Sequence, residues 1–187
     1  NASEALSLVR SLADGVFRPE AIELRRRPSG FPLIRTPLGD VAEARYGSPY
    51  LHFHRAYLIF VLKTALECHA PGSVRLGADV IYYEQDDESV AAVLSNGERV
   101  SGDVLIGADG IHSAIRAQMH GADTPTFTGN VAWRAVVPVE RLGSDVPAPV
   151  AGAWMGRGKH AVTYLLRGGK LANLVAVIER DDWTSES

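Results

Sequence analysis

The sequence predicts a mixed α/β chain in which an α/β portion, residues 1–121, precedes a β-rich portion, residues 122–187. Three observations favour this class. Apolar residues have helical spacing over 54–70, a continuous apolar run at 104–106 leads into an Asp-Gly turn, and strand-like segments fill much of 130–179. The 187 residues are 46% hydrophobic and 22% charged, which is the composition of a folded globular protein.

The beginning of the α/β portion alternates between helical and extended patterns. Residues 5–13 carry apolar side chains at three- and four-residue spacings, which predicts a helix. Two extended segments are expected between 21 and 38, because the Pro-Ser-Gly sequence at 28–30 is a turn signal. A second helix is predicted over 54–70, where a Pro-Gly pair ends the helical pattern.

Several strands are expected before the last helix of this portion. Asn96 and Gly97 favour a hairpin. The apolar run Val104–Ile106 lacks alternation, as expected for a strand that is covered on both faces in a parallel sheet. The predicted strands are 74–76, 78–84, 89–94 and 100–108, and the predicted helix is 113–120.

The β-rich portion begins after a change of pattern near 121–128. Its strand-like segments are separated by glycine-rich turns at 156–158 and 168–169. The predicted strands are 130–139, 150–155, 160–166 and 171–179.

Charge, cysteine content and hydropathy argue against several classes of function. The formal net charge is −3 and the charges are scattered, so no basic surface for nucleic acid is expected. Cys68 is the single cysteine, which rules out an internal disulfide and a multi-cysteine metal site. No apolar run approaches the ~20 residues that cross a bilayer, and the first residues lack a signal-peptide pattern. We therefore expect no nucleic-acid or membrane partner and a cytoplasmic location.

The segment from Gly102 to Arg116 carries the most chemical information. Asp109 follows the predicted strand at its carboxyl end, the edge at which open α/β sheets bind ligands, and its carboxylate can accept hydrogen bonds from ribose or ribityl hydroxyls. Gly110 allows close approach of the backbone, and Ser113 is a candidate helix N-cap. The alternative is an ordinary strand-to-helix turn, since Asp-Gly is common in turns.

This segment resembles the Asp-Gly motif of the FAD-dependent aromatic hydroxylases, the flavoprotein monooxygenases that include salicylate hydroxylase and 6-hydroxynicotinate monooxygenase. The family pattern falls on Asp109, Gly110, Ser113 and Arg116 without a mismatch. The resemblance implies that these residues contribute to binding FAD and the reducing nicotinamide, NAD(P)H. It also implies an incomplete Rossmann-like FAD-binding domain over 1–121 and part of a substrate-binding domain over 122–187.

Two further segments resemble cofactor-binding parts of the same family. The sequence His-Arg-Ala-Tyr-Leu is similar to a family motif whose arginine contacts the flavin, which implies this role for Arg55. Tyr57 stands where the family usually has aspartate. The strand containing Val80 resembles one whose backbone contacts the adenine side of FAD.

A segment of the β-rich portion, 156–173, resembles the substrate domain of the salicylate and hydroxynicotinate branch. Its candidate catalytic residues are His160 and Tyr164, which share one face of a strand about 13 Å apart. Histidine is suited to accept a phenolic proton near neutral pH. The alternative is that His160 is a surface histidine beside a glycine turn and Tyr164 is a core tyrosine. The segment also departs from the family pattern, because Leu165 stands where proline usually follows the tyrosine.

Other side chains are weaker candidates. His52 and His54 share a strand face, but without a third ligand packing is a better explanation than metal binding. Cys68 is expected in the core. Three residues of the β-rich portion are expected either to line a substrate pocket or to fill the core: Trp133, Arg134 and Trp154. The basic run Arg25–Arg27 is expected on a solvated face.

The resemblance implies a monooxygenase that uses FAD, NAD(P)H and O₂ to hydroxylate a small aromatic substrate, either a phenolic or a hydroxy-heteroaromatic acid. We expect no metal site, and a homodimer is one arrangement that stays open. The chain starts inside a helical pattern and stops after a strand, so we interpret it as an internal segment. The family's Gly-x-Gly-x-x-Gly loop would precede Asn1 and its Gly-Asp motif would follow Ser187. A non-catalytic ligand-binding module and a flavoprotein that epoxidises or oxidatively decarboxylates its substrate are the alternatives.

Overall fold

A computed structural model describes residues 15–182, which form two compact units. We call residues 15–70 with 128–182 the large unit and residues 71–127 the small unit. The helix predicted over 5–13 lies outside the described residues. The mixed α/β class is confirmed, since helices and sheets alternate along the chain.

The large unit is built on a six-stranded sheet. Its strand order is β3-β2-β9-β10-β11-β8, and β2 with β9 is its parallel pair. A separate pair, β1 with β4, packs near β10. These strands are β1 (Val16–Phe17), β2 (Ala21–Arg26), β3 (Pro32–Pro37), β4 (His52–Phe53), β8 (Asn130–Pro138), β9 (Ala151–Gly156), β10 (Lys159–Leu166) and β11 (Leu171–Glu179).

The strand predictions for this unit are confirmed. β2 and β3 form the expected antiparallel hairpin, and β8 to β11 occupy the four segments that alternation indicated. The turn after β10 has Gly168 and Gly169 at φ +61° and +90°, which only glycine adopts readily. Side chains alternate across this sheet, so each strand presents two different faces.

The large unit also contains two α-helices, α1 (Gly39–Tyr46) and α2 (Arg55–His69), and a short 3-10 helix at Val139–Arg141. The predicted helix over 54–70 is confirmed by α2. Helix α1 was not predicted, although Asp40 in its first turn, Arg45 in its last and Gly47 after it are helix signals. The expected burial of Cys68 is wrong, because its side chain is exposed on α2.

The small unit is a three-stranded antiparallel sheet with one helix. Its elements are β5 (Val80–Gln85), β6 (Val90–Leu94), β7 (Arg99–Gly102) and α3 (Ala114–His120). The central strand β6 is buried along its whole length, and the Asn96-Gly97 hairpin joins it to β7. Gln118 of α3 bonds to the backbone of Tyr83 through both amide atoms, at 2.8 and 2.6 Å, and so pairs with the edge of β5.

Two strand predictions in the small unit are wrong. Residues 74–76 form no strand, and the strand predicted over 100–108 ends at Gly102. Val104 and Ile106 are 77% and 82% exposed because no described strand pairs with them to form the predicted parallel sheet. An apolar run alone cannot form a strand, since its backbone groups need a neighbouring ladder.

The compact units differ from the predicted linear division at residue 121. β2 and β3 precede that residue, yet β2 pairs with β9 in the sheet of the large unit. The physical reason is long-range strand pairing, which a division by sequence composition does not detect. The functional division into an FAD-binding part and a substrate part stays a prediction.

Candidate functional site

In the small unit, the carboxylate of Asp109 organises the segment that the sequence singled out. The Ser113 hydroxyl donates to one carboxylate oxygen at 2.5 Å, and the backbone N–H of Ile115 donates to the other at 3.3 Å. Gly110 has φ +81°, which turns the chain between Asp109 and α3. The acid therefore satisfies donors at the start of a helix, as an N-terminal carboxylate does in general.

Ser113 and Arg116 complete this turn. Ser113 is the N-cap of α3: its hydroxyl oxygen accepts a hydrogen bond from the backbone N–H of Arg116 at 2.9 Å. The Arg116 guanidinium donates to the carbonyl of Ile111 at 2.7 Å, while its Nε is buried with no partner in the described part of the chain. Asp109, Gly110, Ser113 and Arg116 thus lie together, and each has a defined structural task.

The carboxylate of Asp109 is also available to a ligand, because the residue is exposed. The Ser113 hydrogen bond, followed by the Ile115 backbone N–H, holds the pKa of Asp109 below its usual range. The group is therefore an anion at neutral pH and an acceptor for ligand hydroxyls. Gly107 lies beside Ile115: a Cβ on it would be 2.9 Å from the Ile115 Cγ2 atom, so this backbone lies close to α3.

The other two predicted cofactor residues lie on separate elements. Val80 begins β5 of the small unit and pairs with Leu94. Arg55 begins α2 of the large unit, where its side chain is exposed. Tyr57, the departure from the family motif, lies against Gly15: a Cβ on that glycine would be 2.0 Å from the Tyr57 Cε1 atom.

In the large unit, His160 and Tyr164 lie on one face of β10, as their spacing predicted. Both side chains are partly buried. Cross-strand pairing continues this face onto β11, where Tyr164 is opposite Asn173, and onto β8, where Asn173 is opposite Val136. We call the face that carries His160, Tyr164, Asn173 and Val136 the Tyr164 face.

The histidine in contact with Tyr164 is His52, not His160. The His52 and Tyr164 ring centroids are 4.7 Å apart, and His52 also contacts Phe17 and Tyr50 at 6.2 and 5.5 Å. His52 Nδ1 lies 3.3 Å from the carbonyl oxygen of Leu165, so the ring donates from this nitrogen. Burial lowers the pKa of His52, and the bond to Leu165 offsets part of this effect.

His52 was considered at the sequence level only as packing or as a metal ligand. Its packing is confirmed, because it is 8% exposed within an aromatic cluster. No local signal indicates its contact with Tyr164, since the two residues are 112 positions apart in a chain whose long-range pairing was unknown. Over residues 15–182, no group of three acidic, histidine or cysteine side chains is arranged to hold a metal ion.

Asn173 is a second residue of this region that sequence reasoning missed. It is 9% exposed, and its amide Nδ2 is buried without a hydrogen-bond partner among residues 15–182. Buried polar groups normally have partners, so an orphaned amide requires an explanation. Its position opposite Tyr164 places it among the candidate substrate residues.

The aromatic and basic candidates divide between the two faces of the sheet. Arg134 pairs with Val175 and therefore lies on the Tyr164 face, whereas Trp133 and Trp154 lie on the opposite face. Trp154 lies beneath the Arg25 guanidinium, which is 5.9 Å from its ring centroid.

The expectation of a solvated basic run is wrong for Arg25. Arg25 and Arg35 both form salt bridges with the buried carboxylate of Glu23. The hydrogen bond from Arg25 is the main cause of the lowered pKa of Glu23. Arg26 and Arg27 are exposed, as the sequence indicated.

None of the helices in the part of the chain that the structure describes is long and apolar enough to cross a membrane.

Sequence comparison finds relatives among named aromatic monooxygenases. The chain is 36% identical over 181 residues to 3-amino-4-hydroxybenzoate 2-monooxygenase PtmB3 of Streptomyces platensis, covering 97% of this chain and 45% of that protein. It is 38% identical over 145 residues to 3-hydroxybenzoate 6-hydroxylase 1 of Aquipseudomonas alcaligenes, covering 76% and 36%. The chain thus spans less than half the length of these curated relatives.

Structural comparison confirms the fold. A salicylate hydroxylase substrate complex matches with a TM-score of 0.70 and 24% identity, over 98% of this chain and 50% of that one. The FAD binding domain family model matches residues 38–181. The resemblance drawn from the Asp109 segment is thereby confirmed, and the chain belongs to the FAD binding domain family.

Proposed function

We propose that this chain is part of an FAD-dependent monooxygenase that hydroxylates a small aromatic substrate, using NAD(P)H and O₂. The observation that carries the proposal is the Asp109 segment, in which an exposed, anionic carboxylate is fixed at a glycine turn by Ser113. The named activities of the relatives support the same reaction class, since they are hydroxylases and monooxygenases of hydroxybenzoates.

The residues of the small unit fit a dinucleotide cofactor. The second oxygen of Asp109 accepts a long bond, 3.3 Å from the Ile115 backbone N–H, and the residue is exposed, so the carboxylate keeps acceptor capacity for a ligand hydroxyl. Ser113 and Arg116 are proposed to act by holding this carboxylate and its turn in place. Val80, at the start of β5, is proposed to offer its backbone to the adenine side.

In the large unit, Arg55 is proposed to bind the flavin part of FAD, because its guanidinium is exposed at the start of α2. Arginine presents several donors in a planar fork, which suits phosphate or carbonyl oxygens. FAD, when bound, would supply the redox chemistry that couples NAD(P)H and O₂ to hydroxylation of the ring.

The substrate is proposed to lie on the Tyr164 face. His160 is our candidate for the group that accepts the phenolic proton, because deprotonation raises the electron density of the ring before oxygen transfer. Tyr164 is proposed to contact the ring itself; its orientation is supported by His52, which packs on it and is anchored to Leu165. The homodimer and the cytoplasmic location stay predictions.

The test for the cofactor is an FAD titration of the full-length protein carrying Asp109→Asn. Asparagine keeps an acceptor for Ser113 but removes the charge, so we expect FAD affinity to fall about tenfold or more, the effect of one charged hydrogen bond. Asp103→Asn is the matched control, because Asp103 is an exposed acid of the same segment. Equal FAD affinity in both variants would reject the role of Asp109.

The second candidate function is a folded module that binds ligand without turnover, and Tyr57 in place of the family's aspartate is the observation that favours it. The two candidates differ in one measurement, NAD(P)H consumption coupled to hydroxylated product with a panel of phenolic acids. Stoichiometric product by the full-length protein supports the enzyme, and FAD binding without any product supports the module.

A further inference from the structure

We propose that Asn173 and Arg134 form the subsite on the Tyr164 face that binds the carboxylate of an aromatic acid. This inference rests on the proposed function, whose named relatives act on hydroxybenzoates, and adds two specificity residues to it. The first argument is the amide Nδ2 of Asn173, a buried donor that has no partner in the described part of the protein. A donor of this kind is costly to leave unsatisfied, and a ligand oxygen would satisfy it.

The second argument is the position of Asn173. It lies directly opposite Tyr164 on β11, and residues in such pairs are neighbours on one face of a sheet. Rotation about the terminal bond of the side chain has a broad energy profile, so the amide can turn toward the face that Val136, 47% exposed, leaves open. A ring lying against Tyr164 would therefore have its substituent within reach of this amide.

The third argument is charge. Arg134 is the diagonal neighbour of Asn173, because Asn173 pairs with Val136 and Arg134 precedes Val136 by two residues on β8. Diagonal neighbours lie about 7–8 Å apart, within reach of an arginine side chain. Arg134 is exposed. A neutral donor beside a guanidinium is a suitable pair for a carboxylate.

The Tyr164 face has few acidic side chains that could pair with the Arg134 guanidinium. On the paired stretches 132–138, 160–166 and 171–177, the side chains of this face include the basic Arg134 and His160 and no acid. The nearest carboxylate along β11 on this face is Glu179, six residues from Asn173, which corresponds to about 20 Å of strand. The Arg134 guanidinium therefore gives the subsite a positive charge, which favours an anionic substituent.

The experiment measures equilibrium binding to the full-length, FAD-loaded protein. The probes are hydroxybenzoates and hydroxynicotinates, each paired with its uncharged carboxamide. We expect the wild type to prefer the acid in each bound pair, Asn173→Leu to weaken acid binding about 10- to 100-fold, and Arg134→Gln to remove the preference over the amide. Asn130→Leu is the matched control, since Asn130 is an exposed asparagine at the far end of β8.

Thermal unfolding separates this role from a structural one. If the Asn173 Nδ2 is satisfied only by a bound ligand, Asn173→Leu leaves the Tm of the ligand-free protein unchanged or raises it, because a buried donor without a partner is removed. A lowered Tm with unchanged acid binding would overturn the proposal. Asn173→Asp, which keeps the size and replaces the donor with an acceptor, provides the second variant and is expected to weaken acid binding as well.

The remaining outcomes distinguish this inference from the proposed function. If the wild type hydroxylates aromatic compounds but does not prefer acids over amides, the proposed monooxygenase activity stands and the carboxylate subsite is rejected. If the wild type binds aromatic acids through Asn173 and Arg134 but forms no product, the subsite stands and the proposed monooxygenase activity is rejected. If the wild type binds none of the acids in the panel, the subsite is rejected.

Discussion

The Asp109 segment and the Tyr164 face are assembled in opposite ways. The first is local: Asp109, Ser113 and Arg116 contact one another or the backbone between them within eight consecutive residues. The second is non-local: Tyr164 meets Asn173 through strand pairing and His52 through the packing of β4 near β10. The comparison teaches that a motif can be recognised in sequence when its contacts are short in range.

This difference also separates the physical tasks of the two regions. In the Asp109 segment each side chain satisfies a backbone or capping group, so its residues contribute to folding as well as to the proposed cofactor site. On the Tyr164 face the Asn173 Nδ2 has no partner among the described residues, so this donor adds no hydrogen bond to the fold and is available for binding. Substitutions in the first region should therefore change stability, and those in the second should change binding and turnover.

The largest effect is expected on the Tyr164 face. In the full-length enzyme, His160→Ala should lower turnover of a phenolic substrate about 10²- to 10⁴-fold, the usual contribution of a general base. Steady-state product formation measures it. Lys159→Ala is the control, because Lys159 is an exposed neighbour on the opposite face of β10. Unchanged turnover of the His160 variant would remove this residue from the mechanism.

The next largest effect is expected in the Asp109 segment. Gly107→Ala would place a Cβ 2.9 Å from the Ile115 Cγ2 atom and 3.0 Å from its Cβ, and Ile115 is buried. We expect a loss of about 1–3 kcal/mol in the free energy of unfolding, as for other overpacked sites. Denaturant unfolding measures this loss. In the control Gly102→Ala the nearest atom is 3.8 Å away, so equal losses in both variants would contradict the close approach.

The helix cap provides a smaller test of the same region. Ser113→Ala removes both the bond to Asp109 and the cap of the Arg116 backbone N–H, so we expect a loss of about 1 kcal/mol in stability. Ser113→Thr retains the hydroxyl and should recover most of this loss in the same unfolding measurement. A Thr variant as unstable as the Ala variant would show that burial of the side chain, not the hydroxyl, is the source of stability.

The same contrast determines which parts of the fold were predictable. Alternation and glycine turns were sufficient for β8 to β11, because each of these strands pairs with a neighbour in the chain or in the same portion. The segment 103–108 has an equally clear apolar pattern but forms no strand, since strand formation also needs a partner. The parallel pairing of β2 with β9 was not predictable, because nothing in either segment specifies a partner about 130 residues away.

The candidate site follows the same rule. Asp109, Gly110, Ser113 and Arg116 were identified together because their spacing matches a family motif. His52 and Asn173 were missed or set aside because their importance comes from what they contact. A lone histidine beside a short strand and an asparagine inside one carry no local signal, and only the register of the sheet and the packing of β4 bring them to Tyr164.

The smallest effect concerns pH and the packing behind Tyr164. Burial lowers the folded-state pKa of His52 below its ordinary value of about 6.5, so protonation favours the unfolded chain. The contribution of the neutral ring to stability is therefore complete above about pH 6.5 and is lost as the pH falls through the lowered folded-state pKa. His52→Asn cannot titrate in this range but keeps a side-chain donor for the Leu165 carbonyl.

Unfolding of the wild type and of His52→Asn, measured from pH 7.5 down to pH 5, isolates the contribution of this one group. We expect the difference in unfolding free energy between the two proteins to shrink as the pH falls, because only the wild type takes up a proton at position 52 on unfolding. A difference that stays constant would mean that the His52 ring is protonated equally in both states. It would then be a packing residue whose burial carries no electrostatic cost, and its support of Tyr164 would rest on shape alone.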